Sequence, residues 1–258
     1  MQRAGSTLQY QLTARLVEDA GLGARVEWVQ PGQFPELRDR HAGDPSLKVF
    51  KSHYFTPEIE EEFRNGNARA LYVYRDLRDV YVSLMKKLSR PFDSIWRNGF
   101  LSQCIEHHER WTGCSPCYVS AYEQMTSDLA GEAKRIAAFL EIPIDDEGCC
   151  RLAADYELAR QKERIAAMHE DSPDTMVYGD NRVHTRELLH DNHIQSGTVE
   201  GWREELDPIE ITMIEKEVGD WLTQQGYALA RPRLGARDRL RAWHRRRLYQ
   251  SWSSDPDA

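Results

Sequence analysis

The sequence predicts an α/β fold: three layers, with a central, mainly parallel β-sheet flanked by helices. Three observations lead there. Short apolar runs alternate with amphipathic helical repeats, the pattern of a parallel sheet with crossover helices. ARALYVYRD (68–76) is nearly continuous in apolar residues, as a strand buried on both faces must be. LKVFKSH (47–53) runs from an apolar stretch into a polar end, which is where open parallel sheets carry their chemistry.

The elements follow in order. STLQYQLTARLVEDAG places Leu8, Leu12, Leu16 and Val17 on one helical face, with Gly21 as its stop. ARVEWV (24–29) alternates like a short strand, and LKVFKSH is the next strand. TPEIEEEFRNG (56–66) opens on a Thr cap followed by Pro and ends at Asn-Gly, a short helix. After ARALYVYRD, LRDVYVSLMKKL reads as a helix packed back on the sheet. FDSIWRNGFLSQCIEHHERW (92–111) reads as mostly helical, with Gly99 inside it. SPCYVSAYE (115–123) is another strand and SDLAGEAKRIAAFLEI (127–142) the helix behind it. From about residue 145 the chain looks helical and irregular, with EITMIEKEVGDWLTQQGY (210–227) a clear helix. The expected organisation is one domain over 1–228, in which the polar segment 162–192 is a surface loop or lid, and an Arg-rich tail over 229–258.

Composition narrows the function classes. The 258 residues are 40% hydrophobic, ample for a packed core, yet no apolar run is long enough to span a bilayer. No charged-then-apolar leader opens the sequence. Five cysteines, two of them adjacent (Cys149, Cys150), suit a reduced compartment, and cytoplasm is the expectation. The formal charge of −8 is uneven: residues 231–247 hold eight Arg against one Asp, a local +7, which leaves −15 for the remainder. A nucleic-acid binder is therefore not expected. The tail, with Leu240, Trp243 and Trp252, reads either as an amphipathic helix on a membrane or acidic partner, or as a helix packed on its own acidic domain.

Three clusters carry candidate chemistry. Arg3-Ala4-Gly5-Ser6-Thr7 is a loop feeding a helix N-terminus, where backbone N–H groups and the helix dipole favour an anion. The same pentapeptide also reads as an ordinary Ser/Thr N-cap. It lacks the Gly-Lys-Ser/Thr of a nucleoside-triphosphate loop. Lys51-Ser52-His53 offers a cation beside a possible general base, or a polar strand end. Arg75 and Ser83 lie where a strand end and the second turn of the following helix can grip one anion. Asp76 reads as a helix cap, and Arg78 and Asp79 as local ion pairs. Cys114-Ser-Pro-Cys117 has metal-site spacing, but no second ligand pair accompanies it, and no metal is expected.

Together these clusters resemble the sulfotransferases that use 3′-phosphoadenosine 5′-phosphosulfate (PAPS). That family has an Arg/Lys-x-Gly-Ser/Thr-Thr loop, then Lys-Thr/Ser-His, then Arg-Asp-x-x-Asp-x-x-x-Ser, and all three occur here in that order. Ala121-Tyr122-Glu123-Gln124-Met125 followed by RIAAFLEI resembles the family's Tyr-Glu-Asp strand end, and HIQSGTVEGWREEL (193–206) its C-terminal segment. The resemblance covers roughly residues 1–225 and implies a fold similar to that of P-loop nucleoside-triphosphate hydrolases. It implies PAPS as co-substrate, 3′,5′-diphosphoadenosine as product, a small-molecule acceptor and no metal. It implies that His53 is the general base and that Lys51 and Arg3 stabilise the leaving group. Arg3, Ala4, Gly5, Ser6 and Thr7 would hold the 5′-phosphosulfate, and Arg75 and Ser83 the 3′-phosphate. Tyr122 would lie near adenine, and Gln195, Ser196 and Gly197 would close over the nucleotide.

The sequence also departs from that pattern. Leu8 stands where many members have a Trp, leaving Tyr122 or Trp202 to flank adenine. Gln195-Ser196 replaces Arg-Lys. The strand expected before the loop does not precede it here: either a start upstream has been lost, or the sheet is built without that strand, which would leave the loop poorly anchored and the activity impaired. A small-molecule kinase and a catalytically impaired nucleotide-binding protein of the same fold are the alternatives.

Overall fold

The computed structural model describes residues 1–169, 172–178, 181–192, 194 and 197–248. The chain forms two compact units: Met1, Arg3–Tyr74 and Arg110–Gly197 make the first, and Gln2, Arg75–Glu109 and the residues from Thr198 onward make the second.

The first unit begins with α1 (Ser6–Asp19), β1 (Gly23–Trp28), α2 (Phe34–Arg40), β2 (Leu47–Lys51), α3 (Pro57–Arg64) and β3 (Ala70–Tyr74). The second then supplies α4 (Leu77–Leu88), α5 (Phe92–Trp96) and most of α6 (Phe100–Thr112). The chain returns to the first unit for β4 (Cys117–Ala121), α7 (Tyr122–Ser127), α8 (Leu129–Leu140), α9 (Asp146–Tyr156) and α10 (Leu158–Ala166). Three short strands follow, β5 (Thr175–Tyr178), β6 (Asn181–His184) and β7 (Leu189–His190). The second unit closes with α11 (Trp202–Glu205), α12 (Pro208–Gln224) and α13 (Ala236–Arg246).

In the first unit the parallel strands form two pairs, β1 with β2 and β3 with β4. Among the described residues none of the strands lies before the loop at residues 3–7. Helix α1 packs on β1, β2 and β3 and so covers strands of both pairs. Its Leu12, Leu16 and Val17 close a core with Ala133, Ile136 and Ala137 of α8 and Leu152 and Tyr156 of α9. Each large aliphatic side chain fully buried there contributes about 1.5–3 kcal/mol. The helical face read from the sequence is thus the face that packs.

Several boundaries follow directly from local chemistry. Thr56 caps α3 by accepting from Ile59 N, and Asp76 caps α4 by accepting from Arg78 N at 2.9 Å. Asp207 and Glu210 form a capping box at the start of α12. One expected helix is broken, and one expected strand is shorter than read. The run over 92–111 splits into α5 and α6 at Gly99, which takes φ 65°, a left-handed conformation that ends a helix. The helix read over 127–142 forms as the single helix α8, capped by Asp128, whose carboxylate accepts from Gly131 N at 2.9 Å. The strand read over 115–123 stops at Ala121, and Tyr122–Ser127 form α7 instead.

Segment 162–192 contains structure that its polar composition did not announce. It holds the antiparallel sheet β5–β6–β7. Arg25 is paired with Glu187 at 2.8 Å and Gln11 donates to the Glu187 carbonyl at 3.0 Å, while Leu188 packs with Tyr10 and Ala14. This end of the segment is docked on α1 rather than free in solvent.

The second unit is organised around a buried arginine. Arg78 is 1% exposed, pairs with Asp76 and Glu215 at 2.7 Å each, and donates to the Ala228 carbonyl at 3.0 Å. Its guanidinium stacks 3.9 Å from the centre of the Trp202 ring. One side chain thereby joins α4, α11 and α12. The expectation of a merely local pair at Arg78 is corrected, because long-range packing surrounds it with acceptors.

Candidate functional site

The loop at residues 3–7 takes its shape from two left-handed residues, Arg3 at φ 59° and Gly5 at φ 85°. Gly5 is the N-cap of α1, and no side chain caps the helix. The ordinary Ser/Thr cap is therefore not what these residues make: Ser6 and Thr7 belong to the helix itself, so their hydroxyls do not substitute for a ligand at its first N–H groups. A Cβ on Gly5 would meet the Tyr122 ring at 2.7 Å and the Met125 Cε at 2.8 Å, so only glycine fits. The loop is firmly held. Ala4 is completely buried, Met1 is 6% exposed, and the Met1 ammonium donates to the Val73 carbonyl of β3 at 2.9 Å.

The end of β2 meets the start of α1. Lys51, 8% exposed, donates from Nζ to the Thr7 hydroxyl at 2.6 Å. The same ammonium lies 5.4 Å from the centre of the Trp28 ring. Trp28 also meets the His53 imidazole edge-on, 4.7 Å between ring centres. Behind this pair, Trp111 Nε1 donates to the His53 carbonyl at 3.5 Å and packs edge-on against Phe55. Ser52 serves the turn between them, its hydroxyl accepting from Tyr54 N. Lys51 and His53 are thus set by β2 and by an aromatic wall of Trp28 and Trp111, residues whose roles were not legible from the sequence.

Tyr122, the first residue of α7, joins two further expected positions. Its ring packs on Gly5, and its hydroxyl donates to the Gly197 carbonyl at 3.3 Å. Gly197 takes φ 69°. Gln195, Ser196 and His193 lie outside the described residues.

In the second unit, Arg75 is 8% exposed; its Nη2 donates to the Thr198 carbonyl at 2.7 Å and lies 3.3 Å from the Asp79 carboxylate. Asp79 accepts from Glu200 N at 2.9 Å and from Trp202 N at 3.0 Å. Burial pushes the Asp79 carboxyl above its ordinary range, with Arg75 and these N–H groups pulling the other way. Ser83 is half-buried on α4. Asp79, expected to make only a local ion pair, also fastens residues 198–202 beside Arg75. No signal in the sequence marks that link, because its partners lie more than 120 residues away. Trp202 is completely buried beneath Arg78 and Arg203, so it has no face left for a ligand ring.

All five cysteines are free of disulfides, and no group of metal-ligating side chains occurs among the described residues. Among the described residues no helix is long and apolar enough to cross a membrane.

Comparison with known proteins agrees with this architecture. The chain is 23% identical over 168 residues to sulfotransferase 1C2 of Rattus norvegicus, a match covering 59% of this chain and 56% of the relative's length. It thus spans little more than half of that curated relative. Among solved structures it is similar to mouse sulfotransferase SULT7A1 complexed with PAP, with a TM-score of 0.65, 15% identity, and coverage of 86% of this chain and 81% of the other. It is also similar to retinol dehydratase in complex with androsterone and the inactive cofactor PAP, with a TM-score of 0.59, 20% identity, and coverage of 90% and 81%. At these identities the structural likeness is one of fold. The family described as the sulfotransferase domain matches residues 15–226, most of the chain. The chain belongs to that sulfotransferase family.

Proposed function

We propose that this protein is a PAPS-dependent sulfotransferase acting on a hydroxyl or amine of a small-molecule acceptor. The Lys51–Thr7 hydrogen bond carries the reading, because it brings the cation of the Lys-Ser-His segment to the first turn after the glycine loop. Family membership supports it, as do the PAP complexes of the structural relatives. The residues of the first unit suit such a ligand: two cations (Arg3 and Lys51), a glycine loop without a side-chain cap, and a histidine held by aromatic rings.

PAPS, when bound, supplies an activated sulfuryl group joined to a phosphate that leaves as 3′,5′-diphosphoadenosine. The chain's residues do the rest. His53 takes the proton from the acceptor as its oxygen or nitrogen bonds to sulfur. Lys51 and Arg3, with the N–H groups of Gly5, Ser6 and Thr7 and the backbone at Ala4, stabilise the negative charge that collects on the departing bridging oxygen. Arg75 and Ser83 bind the 3′-phosphate, and Tyr122 orients the adenine end together with Gly197, Gln195 and Ser196. Residues 162–192 cover the acceptor side of the same domain. Positioning and charge stabilisation are the dominant contributions in this type of transfer, and the mechanism calls on no metal.

The test is thermal stabilisation by 3′,5′-diphosphoadenosine, with ATP as the comparison, followed by labelled sulfate transfer from PAPS to an acceptor panel. Stabilisation by the diphosphate and not by ATP is expected, together with transfer to at least one acceptor. His53→Ala should lower turnover by about 10²–10⁴-fold while nucleotide binding is kept. No stabilisation at millimolar ligand would overturn the reading, and binding without transfer to any acceptor would leave a nucleotide-binding protein of this fold.

A further inference from the structure

We propose that α13 lies on the surface of an anionic lipid bilayer, through a face that takes no part in sulfuryl transfer. The helix divides its side chains cleanly. Ala242 is buried, Arg245 pairs with Asp93 at 2.8 Å and with Glu210 at 3.3 Å, and Arg246 reaches Glu217 at 2.9 Å. These contacts fasten one face to α5 and α12, as expected of a basic helix packed on its own acidic unit.

The opposite face has a different composition. Leu240 is 65% and Trp243 54% exposed, and Leu248, just past the helix, is 41% exposed. Leu240, Trp243 and Arg247 follow an i, i+3, i+7 spacing and form one line along the helix. The Arg247 guanidinium lies 4.5 Å from the centre of the Trp243 ring. Arg237 on the same side is also exposed. The only acid of the helix, Asp238, is 3.6 Å from Arg241.

A face kept only for solubility has no use for an exposed Leu and Trp beside arginines. A polyanion such as nucleic acid engages the arginines but gives the Leu no environment. A bilayer interface satisfies both: Trp and Arg sit at headgroup level while Leu enters the acyl boundary. The helix has 11 residues, so it lies in the plane of the surface rather than crossing it. The charge balance orients the molecule, because 231–247 carries +7 and the remainder −15, so this segment is the one that an anionic surface attracts.

The experiment is co-sedimentation of the full chain with vesicles of phosphatidylcholine alone or with about one-third phosphatidylserine. Binding to the anionic vesicles only, weakening with salt, is expected. Leu240→Ser with Trp243→Ser should weaken it about tenfold with an unchanged melting temperature, since both side chains face outward. Arg237→Gln and Arg247→Gln should each weaken it about fivefold. Three results would overturn the proposal: no pelleting with anionic vesicles, equal pelleting with neutral ones, or undiminished binding by the Leu240/Trp243 double variant. Tighter binding to heparin or duplex DNA that ignores Leu240 and Trp243 would assign the face to a polyanion instead.

Discussion

The Lys51 ammonium donates to the Thr7 hydroxyl across 2.6 Å, tying the last residue of β2 to the first turn of α1. Lys51 is almost buried there and is also held against Trp28. A cation so placed is already desolvated and oriented, which is what makes a donor effective toward a developing anion. Lys51→Met keeps the length of the side chain and removes the charge. It should lower kcat for sulfate transfer by about 10²–10³-fold with little change in melting temperature. Initial rates within threefold of the parent would remove Lys51 from the proposed role.

Gly5 tests the loop itself. An alanine there must adopt a φ near 85° and place its Cβ against Tyr122 and Met125. Left-handed strain costs about 1–3 kcal/mol, and crowding in a packed site adds a further cost on the order of 1–3 kcal/mol. Gly5→Ala should therefore lower the melting temperature and abolish stabilisation by 3′,5′-diphosphoadenosine. A variant that melts like the parent would show that the loop tolerates a side chain.

Arg75 and Asp79 separate ligand binding from scaffold. Arg75→Ala should weaken 3′,5′-diphosphoadenosine by about 10–100-fold, the value of a charge-assisted hydrogen bond, measured by calorimetry. Asp79→Asn keeps the shape but can accept well from only one of Glu200 N and Trp202 N. It should cost about 1–3 kcal/mol of stability, read by denaturant titration. An Arg75→Ala variant of parental affinity would contradict the 3′-phosphate assignment.

His108 gives a pH dependence. It is 7% exposed and packs edge-on against Trp221, and burial pulls its pKa from 6.5 down to about 4. Between those values the unfolded chain binds a proton that the folded one does not. Its contribution is complete above about 6.5 and declines as pH falls toward about 4. His108→Leu should narrow the gap in melting temperature between neutral and mildly acidic solution. An unchanged gap would place the acid sensitivity elsewhere.

Much of the fold was readable along the chain. Caps at Thr56 and Asp76, the apolar face of α1 and the apolar run of β3 are decided within about a dozen residues, and each was found where expected. The three candidate clusters were legible for the same reason, since each is a strand end or loop with its own side chains. Local pattern failed at Gly99, where a turn signal lay inside a helical repeat, and over 175–190, where strands of two to four residues carry too little alternation to be seen.

Only the tertiary structure could decide the remainder. That Thr7 serves Lys51, that Gly5 makes room for Tyr122, that Trp28 and Trp111 hold His53, and that Asp79 holds Glu200 and Trp202 are all contacts between distant segments. Sequence states which groups can donate, accept or stack. Which of them meet is set by close packing of α1 on the strands and of α4 on α11 and α12, and packing is a property of the folded whole.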